Sequence, residues 1–186
     1  MATQIFYFSG TGNSLHIATE LAKGIPDASL VPVIGALNMD SIEAKAENIG
    51  FVFPIHAFTM PKPIKKFLQR VNLASASYLF AIATRGGSPC RVFSHIDKIL
   101  KKKGKALDAQ FFVNMPNNYL PYFDVQTQEE AIRLEAEKRE RMEFIKKIVS
   151  NRQKSKEKDP HGSFVEENLL FPVLTQVFQR TGYFNT

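Results

Sequence analysis

The feature that most constrains the fold is an alternation of short apolar runs with helical patterns over residues 1–115. Each run is continuously apolar or β-favouring, whereas a strand with one face in water would alternate apolar and polar residues. The five runs are Ile5–Phe8, Leu30–Ile34, Ile49–Phe53, Leu79–Thr84 and Gln110–Asn114. The sequence therefore predicts an α/β domain built on a five-stranded parallel sheet that is buried on both faces.

Three amphipathic segments between these runs predict helices at Asn13–Lys23, Lys62–Val71 and Pro89–Lys103. Ser88 has the character of an N-cap, with proline at the first helical position. The segment from Gly35 to Asn48 is only weakly periodic, so it predicts no clear helix. Right-handed crossovers would place helices on both faces of the sheet. With strand order 2-1-3-4-5, the result is a three-layer sandwich of the flavodoxin-like type.

The C-terminal third predicts two long helices. Ile132, Met142, Ile145 and Val149 recur near helical spacing in the charged segment from Gln128 to about Arg152. A polar stretch, Ser150 to Gly162, separates it from an apolar segment over Phe164–Phe178. We expect a single domain over residues 1–186, with its core in 1–115 and a helical extension over 126–180 packed on that core.

Composition narrows the function classes. The 186 residues are 44% hydrophobic with a formal net charge of +6, but the cations are dispersed except at Lys101–Lys103 and Lys105. That cluster suits the C-terminal end of a helix, and no nucleic-acid-reading motif accompanies it, so we expect no nucleic-acid partner. The single cysteine, Cys90, excludes an internal disulfide and a cysteine-rich metal or iron–sulfur site. The sequence shows no signal peptide or membrane span, so we expect a cytoplasmic protein with no membrane partner.

The loop between the first strand and the first helix carries the strongest functional signal. It contains Ser9, Gly10, Thr11, Gly12, Asn13 and Ser14. A helix N-terminus at the carboxyl edge of a parallel strand presents backbone N–H groups and the positive end of a dipole. Glycines allow close approach of a ligand, and the hydroxyl and amide side chains are further donors. The loop predicts an anion site made of neutral donors.

Three common anion sites do not match this loop. A nucleotide-binding P-loop needs a lysine that is missing here, and the spacing also differs. A dinucleotide fingerprint needs a third glycine where this chain has Leu15. A receiver domain would need acidic residues clustered at the strand ends. A phosphate monoester is the ligand that fits best.

At this point the sequence resembles a known family. "IFYFSGTGNSLHIATEL" is similar to the FMN-phosphate signature of flavodoxins, with Ser14 where threonine is usual. The stretches "FPIHAFTMPKPI", "RGG" and "MPNNYLP" follow strands three, four and five. They resemble the flavodoxin module of flavodoxin-ferredoxin fusion proteins, the ferrodoxins. In many flavodoxins the loop after strand three contains a glycine, and Pro54 to Met60 has none.

The resemblance implies FMN as cofactor and assigns residues to it. The loop Ser9–Ser14 would hold the phosphate, the loop from Pro54 to Met60 would cover one side of the flavin ring, and the loop from Thr84 to Ser88 the other. The ring contacts implied are Pro54, Ile55, His56, Ala57, Phe58, Thr84, Arg85, Gly86, Gly87 and Asn118. The segment that contains Asn118 either lies near the flavin or is a rigid surface connection. His56 is either a flavin contact or a loop histidine packed on phenylalanines, and Arg85 either contacts flavin or partner or forms a surface ion pair. Cys90 falls in the first turn of a predicted helix, where a dipole lowers a thiol pKa, but without a second cysteine it is more plausibly structural.

The function implied is an FMN-binding electron-transfer flavoprotein, a redox carrier between a reductase and a ferredoxin-like acceptor. The basic net charge would suit an acidic redox protein partner. An FMN-dependent NAD(P)H or quinone oxidoreductase is an alternative, although no motif marks a second-substrate pocket. A non-redox interaction domain is another. The sequence assigns no catalytic residue and no metal site.

Overall fold

The structure is a computed structural model that describes residues 2–86, 90–116, 127–159 and 171–180. Its sheet is entirely parallel, with strand order β2-β1-β3-β4-β5-β6. The strands are β1 (Thr3–Tyr7), β2 (Ala28–Pro32), β3 (Asn48–Pro54), β4 (Tyr78–Arg85), β5 (Ala109–Asn114) and β6 (Ser155–Lys156). The first five confirm the predicted order 2-1-3-4-5, and the chain has the flavodoxin-like fold. The sixth, two-residue strand was not predicted.

The helices are α1 (Asn13–Lys23), α2 (Val33–Leu37), α3 (Lys62–Arg70), α4 (Val92–Lys101), α5 (Gln128–Ser150) and α6 (Phe171–Arg180). The bounds of α1 are those predicted, and α3 is one residue shorter. The weakly periodic segment contains only the five-residue α2. α5 starts with a capping box in which Thr127 and Glu130 bond each other's backbone. Among the helices in the described part of the chain, none is long and apolar enough to cross a bilayer.

Two apolar layers cover the two faces of the sheet. Alternate side chains of the strands point to opposite faces, so one face carries Phe6 and Phe51 and the other carries Ile5 and Val52. The first face packs against buried side chains of α2, α3 and α4, including Val33, Phe67 and Phe93. The second packs against α1 and α5, including Ile17, Leu21, Met142 and Ile145. This arrangement confirms the predicted three-layer sandwich.

Beyond the end of β6, two side chains form the hydrogen bonds to β5 that a longer strand would have made. β6 pairs with β5 only at Ala109 and Gln110. One residue further along, the Glu157 carboxylate accepts a hydrogen bond from the Phe112 N–H (2.8 Å), and Arg141 Nε donates to the Phe112 carbonyl (3.1 Å). Arg141 and Glu157 also form an ion pair with each other. The pair thus satisfies both backbone groups that Phe112 presents at the edge.

The polar segment after α5 is part of the domain, at least as far as residue 159. Asp159 is buried, and its carboxylate accepts hydrogen bonds from the Phe93 and Ser94 N–H groups, both at 3.1 Å, and from the Ser94 hydroxyl at 2.5 Å. Asp159 therefore caps α4 from a distant point of the chain. The predicted start of this helix at Pro89 is wrong, because the helix begins at Val92 with Arg91 at the N-cap position. Ser88 and Pro89 lie outside the described residues.

Candidate functional site

The loop from Ser9 to Ser14 lies at the point where the strand order reverses. β1 has β2 on one side and β3 on the other, so the connections leaving β1 and β3 run in opposite directions across the sheet. Ligands of open parallel sheets bind in the crevice that this reversal creates at the carboxyl ends of the strands. The topology therefore places the predicted anion loop where a ligand site is expected.

The loop adopts a conformation that depends on glycine. Gly12, the N-cap of α1, has a φ of 97°, in the left-handed region that side chains other than glycine rarely adopt. The Ser9 hydroxyl accepts a hydrogen bond from the Gly12 N–H at 3.1 Å, which holds the turn. No side chain caps α1, and its first turn contains no acidic residue. The first turn of α1 therefore supplies no counter-charge of its own at the positive end of the helix.

Gly10 has a different explanation from Gly12. Its φ is not in the left-handed region, and a Cβ built on it meets no atom within 4 Å. Neither backbone strain nor packing in the described residues requires glycine there. The space in front of Gly10 and Gly12 is open, and Gly10 and Thr11 are both exposed. A ligand approaching the backbone closely would account for glycine at position 10.

Two hydrogen bonds join this loop to the ends of other strands. The Ser14 and Thr84 hydroxyls bond each other at 2.8 Å, and both residues are buried. The Asn13 side-chain amide donates to the Pro116 carbonyl at 3.1 Å, in the segment that follows β5. The structure thus brings together the loop after β1, the end of β4 and the segment after β5. The Ser14 hydroxyl is engaged with Thr84, and Thr11 is exposed on the same loop.

The loop after β3 is a tight turn held in an unfavourable conformation. His56 and Thr59 exchange two backbone hydrogen bonds of 2.9 and 3.0 Å across the turn. Ala57 and Phe58 between them have φ of 45° and 64°, the signs of a type I′ turn, which glycine and asparagine normally occupy. Each such residue costs about 1 to 2 kcal/mol. The turn is anchored at its base by the Ile55 N–H, which donates to the Thr84 carbonyl at 2.9 Å.

The His56 side chain packs against Phe8 beside this turn. Its ring stands edge-on to Phe8, with centroids 6.2 Å apart, which agrees with the packed alternative from the sequence. Burial lowers its pKa below the ordinary value, so the ring is neutral at neutral pH. Thr59 joins the turn to α4, because its hydroxyl forms a hydrogen bond with His95 Nδ1 at 2.7 Å. Pro54, Ile55, Ala57 and Phe58 are all partly exposed beside His56.

Arg85 lies at the carboxyl end of β4, with its guanidinium 4.3 Å from the centre of the Phe112 ring. Its Nε donates to Asn114 Oδ1 at 3.3 Å. Gly86 next to it is exposed, and Gly87 and Asn118 lie outside the described residues. Cys90 precedes α4 rather than starting it and is buried. Burial raises the pKa of its thiol to about 12, so the effect of the helix dipole does not dominate.

A second concave feature was not foreseen from the sequence. A cavity of about 480 Å³ runs along the end of β5, between α5 and residues 157–158. Of the predicted site residues that the structure describes, only Arg85 lines it. Lys138 and Arg141 of α5 also line it. Their three-residue spacing places both on one face of the helix, and this spacing is the sequence signal that could have indicated the cavity.

Comparisons with known proteins find similarity only to solved structures, at low sequence identity. No protein-family model and no curated protein matches the chain. Among solved structures it is similar to the two-electron reduced flavodoxin of Megasphaera elsdenii, at 18% identity over 62% of this chain and 89% of that one, with a TM-score of 0.49. It is also similar to the Fusobacterium nucleatum flavodoxin bound to flavin mononucleotide (14% identity, 80% and 98% covered, TM-score 0.46) and to an NADH:FMN oxidoreductase in its apo form (12%, 81% and 91%, 0.42).

Proposed function

We propose that this protein binds FMN and serves as an electron carrier between a reductase and an acidic redox protein partner. The observation that carries the proposal is the loop after β1, an uncapped helix N-terminus with no acidic residue in the first turn, opened by Gly10 and Gly12 and flanked by hydroxyls. Its neutral donors suit the phosphate of a monoester. Bound FMN would supply the redox chemistry, since it takes up and releases electrons and these side chains do not.

The chain's own residues would bind and position the cofactor. Thr11 and the Asn13 backbone N–H would hold the phosphate at the N-terminus of α1, with the turn kept in place by the bond from the Gly12 N–H to Ser9. The turn at His56 to Thr59 would supply an aromatic and apolar wall on one side of the ring, with His56 neutral because of its lowered pKa. The loop after β4 would supply the other wall, where Arg85 is held in place by Phe112 and Asn114.

The experiment is a pair of titrations of the purified full chain, one with FMN and one with riboflavin, followed by flavin fluorescence. Because riboflavin lacks the phosphate, we expect it to bind at least ten-fold more weakly than FMN. A Thr11→Asp variant should lose at least ten-fold in FMN affinity through charge repulsion, whereas the uncharged Thr11→Asn control of the same shape should lose much less. Equal affinity for both flavins, or equal effects of both variants, would contradict the placement of the phosphate.

The FMN-dependent oxidoreductase alternative is separated from the carrier by a second measurement on the same sample. FMN-loaded protein is mixed with NADPH alone under anaerobic conditions, and the flavin absorbance is followed. A carrier should bleach slowly until a reductase is added. Rapid bleaching by NADPH alone would favour the oxidoreductase. A chain that binds no flavin at all would instead favour the third alternative, a non-redox interaction domain.

A further inference from the structure

The cavity along the end of β5 carries an unusual set of charges. Among the residues that the structure describes, four cationic side chains line it, those of Arg85, Lys138, Arg141 and Lys158, against the carboxylates of Glu137 and Glu157. Glu157 is already engaged by Arg141 and the Phe112 N–H. Counting also Glu135, which pairs with Lys138, the described charges are four positive against three negative, in a concave space of about 480 Å³, the size of small-molecule sites.

Three of the cationic groups are fixed in position. Arg85 lies over the Phe112 ring and bonds Asn114, while Arg141 bonds the Phe112 carbonyl and the Glu157 carboxylate. Lys138 is only 8% exposed, and its ammonium group is held by Glu135 at 2.6 Å and His16 at 3.1 Å. Lys158, by contrast, is exposed at the mouth of the cavity. Cationic groups that are positioned before binding lose little side-chain entropy when an anion arrives.

From these observations we propose that the cavity is a second anion site, which binds the phosphate or carboxylate group of a small molecule. It is distinct from the proposed FMN phosphate site, because the loop from Ser9 to Ser14 does not line it, although Arg85 borders both sites. The two sites also use different chemistry. The loop after β1 offers backbone and hydroxyl donors, whereas the cavity offers guanidinium and ammonium groups, which bind anions through charge and, for arginine, through paired N–H donors.

The test is an NMR titration of the full ¹⁵N-labelled chain with three probes: inorganic phosphate, pyrophosphate and citrate. Sodium chloride keeps the ionic strength constant, so that general screening does not imitate binding. We expect saturable shifts of the backbone amides of Val113, Asn114 and Lys138. The phosphate and citrate arms distinguish a phosphate-bearing from a carboxylate-bearing ligand. Shifts that do not saturate at these amides with any probe would overturn the proposal.

The titration is repeated with excess FMN, because phosphate is also expected at the loop after β1. Shifts at the Gly12 and Asn13 amides should disappear in that arm, whereas those at the cavity should persist. Probe binding that is confined to Gly12 and Asn13 would refute the second site and leave the FMN proposal intact. Persistent cavity shifts in a chain that binds no FMN would support the second site and refute the FMN proposal.

Two exposed residues allow opposite changes without disturbing the core. Lys158→Gln removes a cation and should weaken probe binding about two- to five-fold, whereas Glu137→Gln removes a repelling carboxylate and should strengthen it by a similar factor. Lys154→Gln is the matched control, since Lys154 is exposed on the same segment but does not line the cavity. If both cavity variants bind the probes as the control does, the assignment is wrong.

Discussion

Replacing Asp159 with alanine should destabilise the whole domain, although the residue lies in a polar segment far along the chain from the helix that it contacts. Its carboxylate accepts three hydrogen bonds at the start of α4, two from backbone N–H groups and one from the Ser94 hydroxyl. No side chain within α4 or at its N-cap performs this role. In the Asp159→Ala variant, the first-turn N–H groups lose their acceptors and the helix loses a negative charge at its positive end.

The size of the effect follows from these contacts. Loss of a helix cap costs about 0.5 to 2 kcal/mol, and a partly buried charge at a helix terminus adds about 0.3 to 1 kcal/mol. Because Asp159 is buried and makes both kinds of interaction, we expect about 2 kcal/mol. For a chain of this length, such a loss lowers the melting temperature by roughly 4 to 8 °C.

The assay is thermal and urea unfolding of the wild type, Asp159→Ala and the control Asp40→Ala, whose side chain is exposed. The control should remain within about 0.5 kcal/mol of the wild type. Hydrogen exchange gives a local check, because the Phe93 and Ser94 amides should exchange faster in the variant. A melting temperature within 1 °C of the wild type, or unchanged exchange at both amides, would refute the capping role.

Four further outcomes are expected. Ala57→Gly should stabilise the domain by about 0.5 to 1 kcal/mol in urea unfolding, because glycine relieves the left-handed strain; a destabilised variant would show that the turn is not strained. Thr84→Val should cost about 1 to 3 kcal/mol by leaving the buried Ser14 hydroxyl without its partner, and adding Ser14→Ala should recover part of that loss. Cys90 should react with Ellman's reagent at least 100-fold more slowly in the folded protein than in guanidinium, because burial raises its pKa; comparable rates would contradict this burial. Burial, with the cations Lys98, Arg91 and Lys65, lowers the pKa of His95, although Asp159 acts in the opposite direction. The unfolded chain therefore binds more protons than the folded protein, and the free energy of unfolding falls as the pH drops below about 6.5. His95→Gln should flatten that decline, and an unchanged pH profile would exclude His95 as its source.

The sheet and the loop after β1 were predictable because their signals are local. A buried parallel strand is a continuous apolar run, so all five main strands were found, with bounds that differ by up to two residues. The expectation that every strand is buried is wrong for β2, which contains no buried residue. Gly12 and its neighbours mark a strand-to-helix turn through their own conformational preferences. Both features depend on residues within a few positions of each other.

The start of α4 and strand β6 could not be predicted, for the opposite reason. The cap of α4 is Asp159, 66 residues away from Phe93, and nothing near Pro89 indicates it. Ser155 and Lys156 are polar and pair at only two positions, so no hydrophobic pattern indicates a strand. The cavity beside β5 depends on the same late segment, which brings residues 157–158 against α5. Interactions between distant segments decided each of these features.

The ion pair between Arg141 and Glu157 has a consequence for how copies of this protein meet. An exposed edge strand is a template for another chain, because its N–H and C=O groups attract any extended segment in solution. At Phe112 both groups are already bonded by these two side chains. The charged pair thus occupies the place of one residue of a neighbouring strand. We therefore expect it to hinder edge-to-edge association of the concentrated protein at that point.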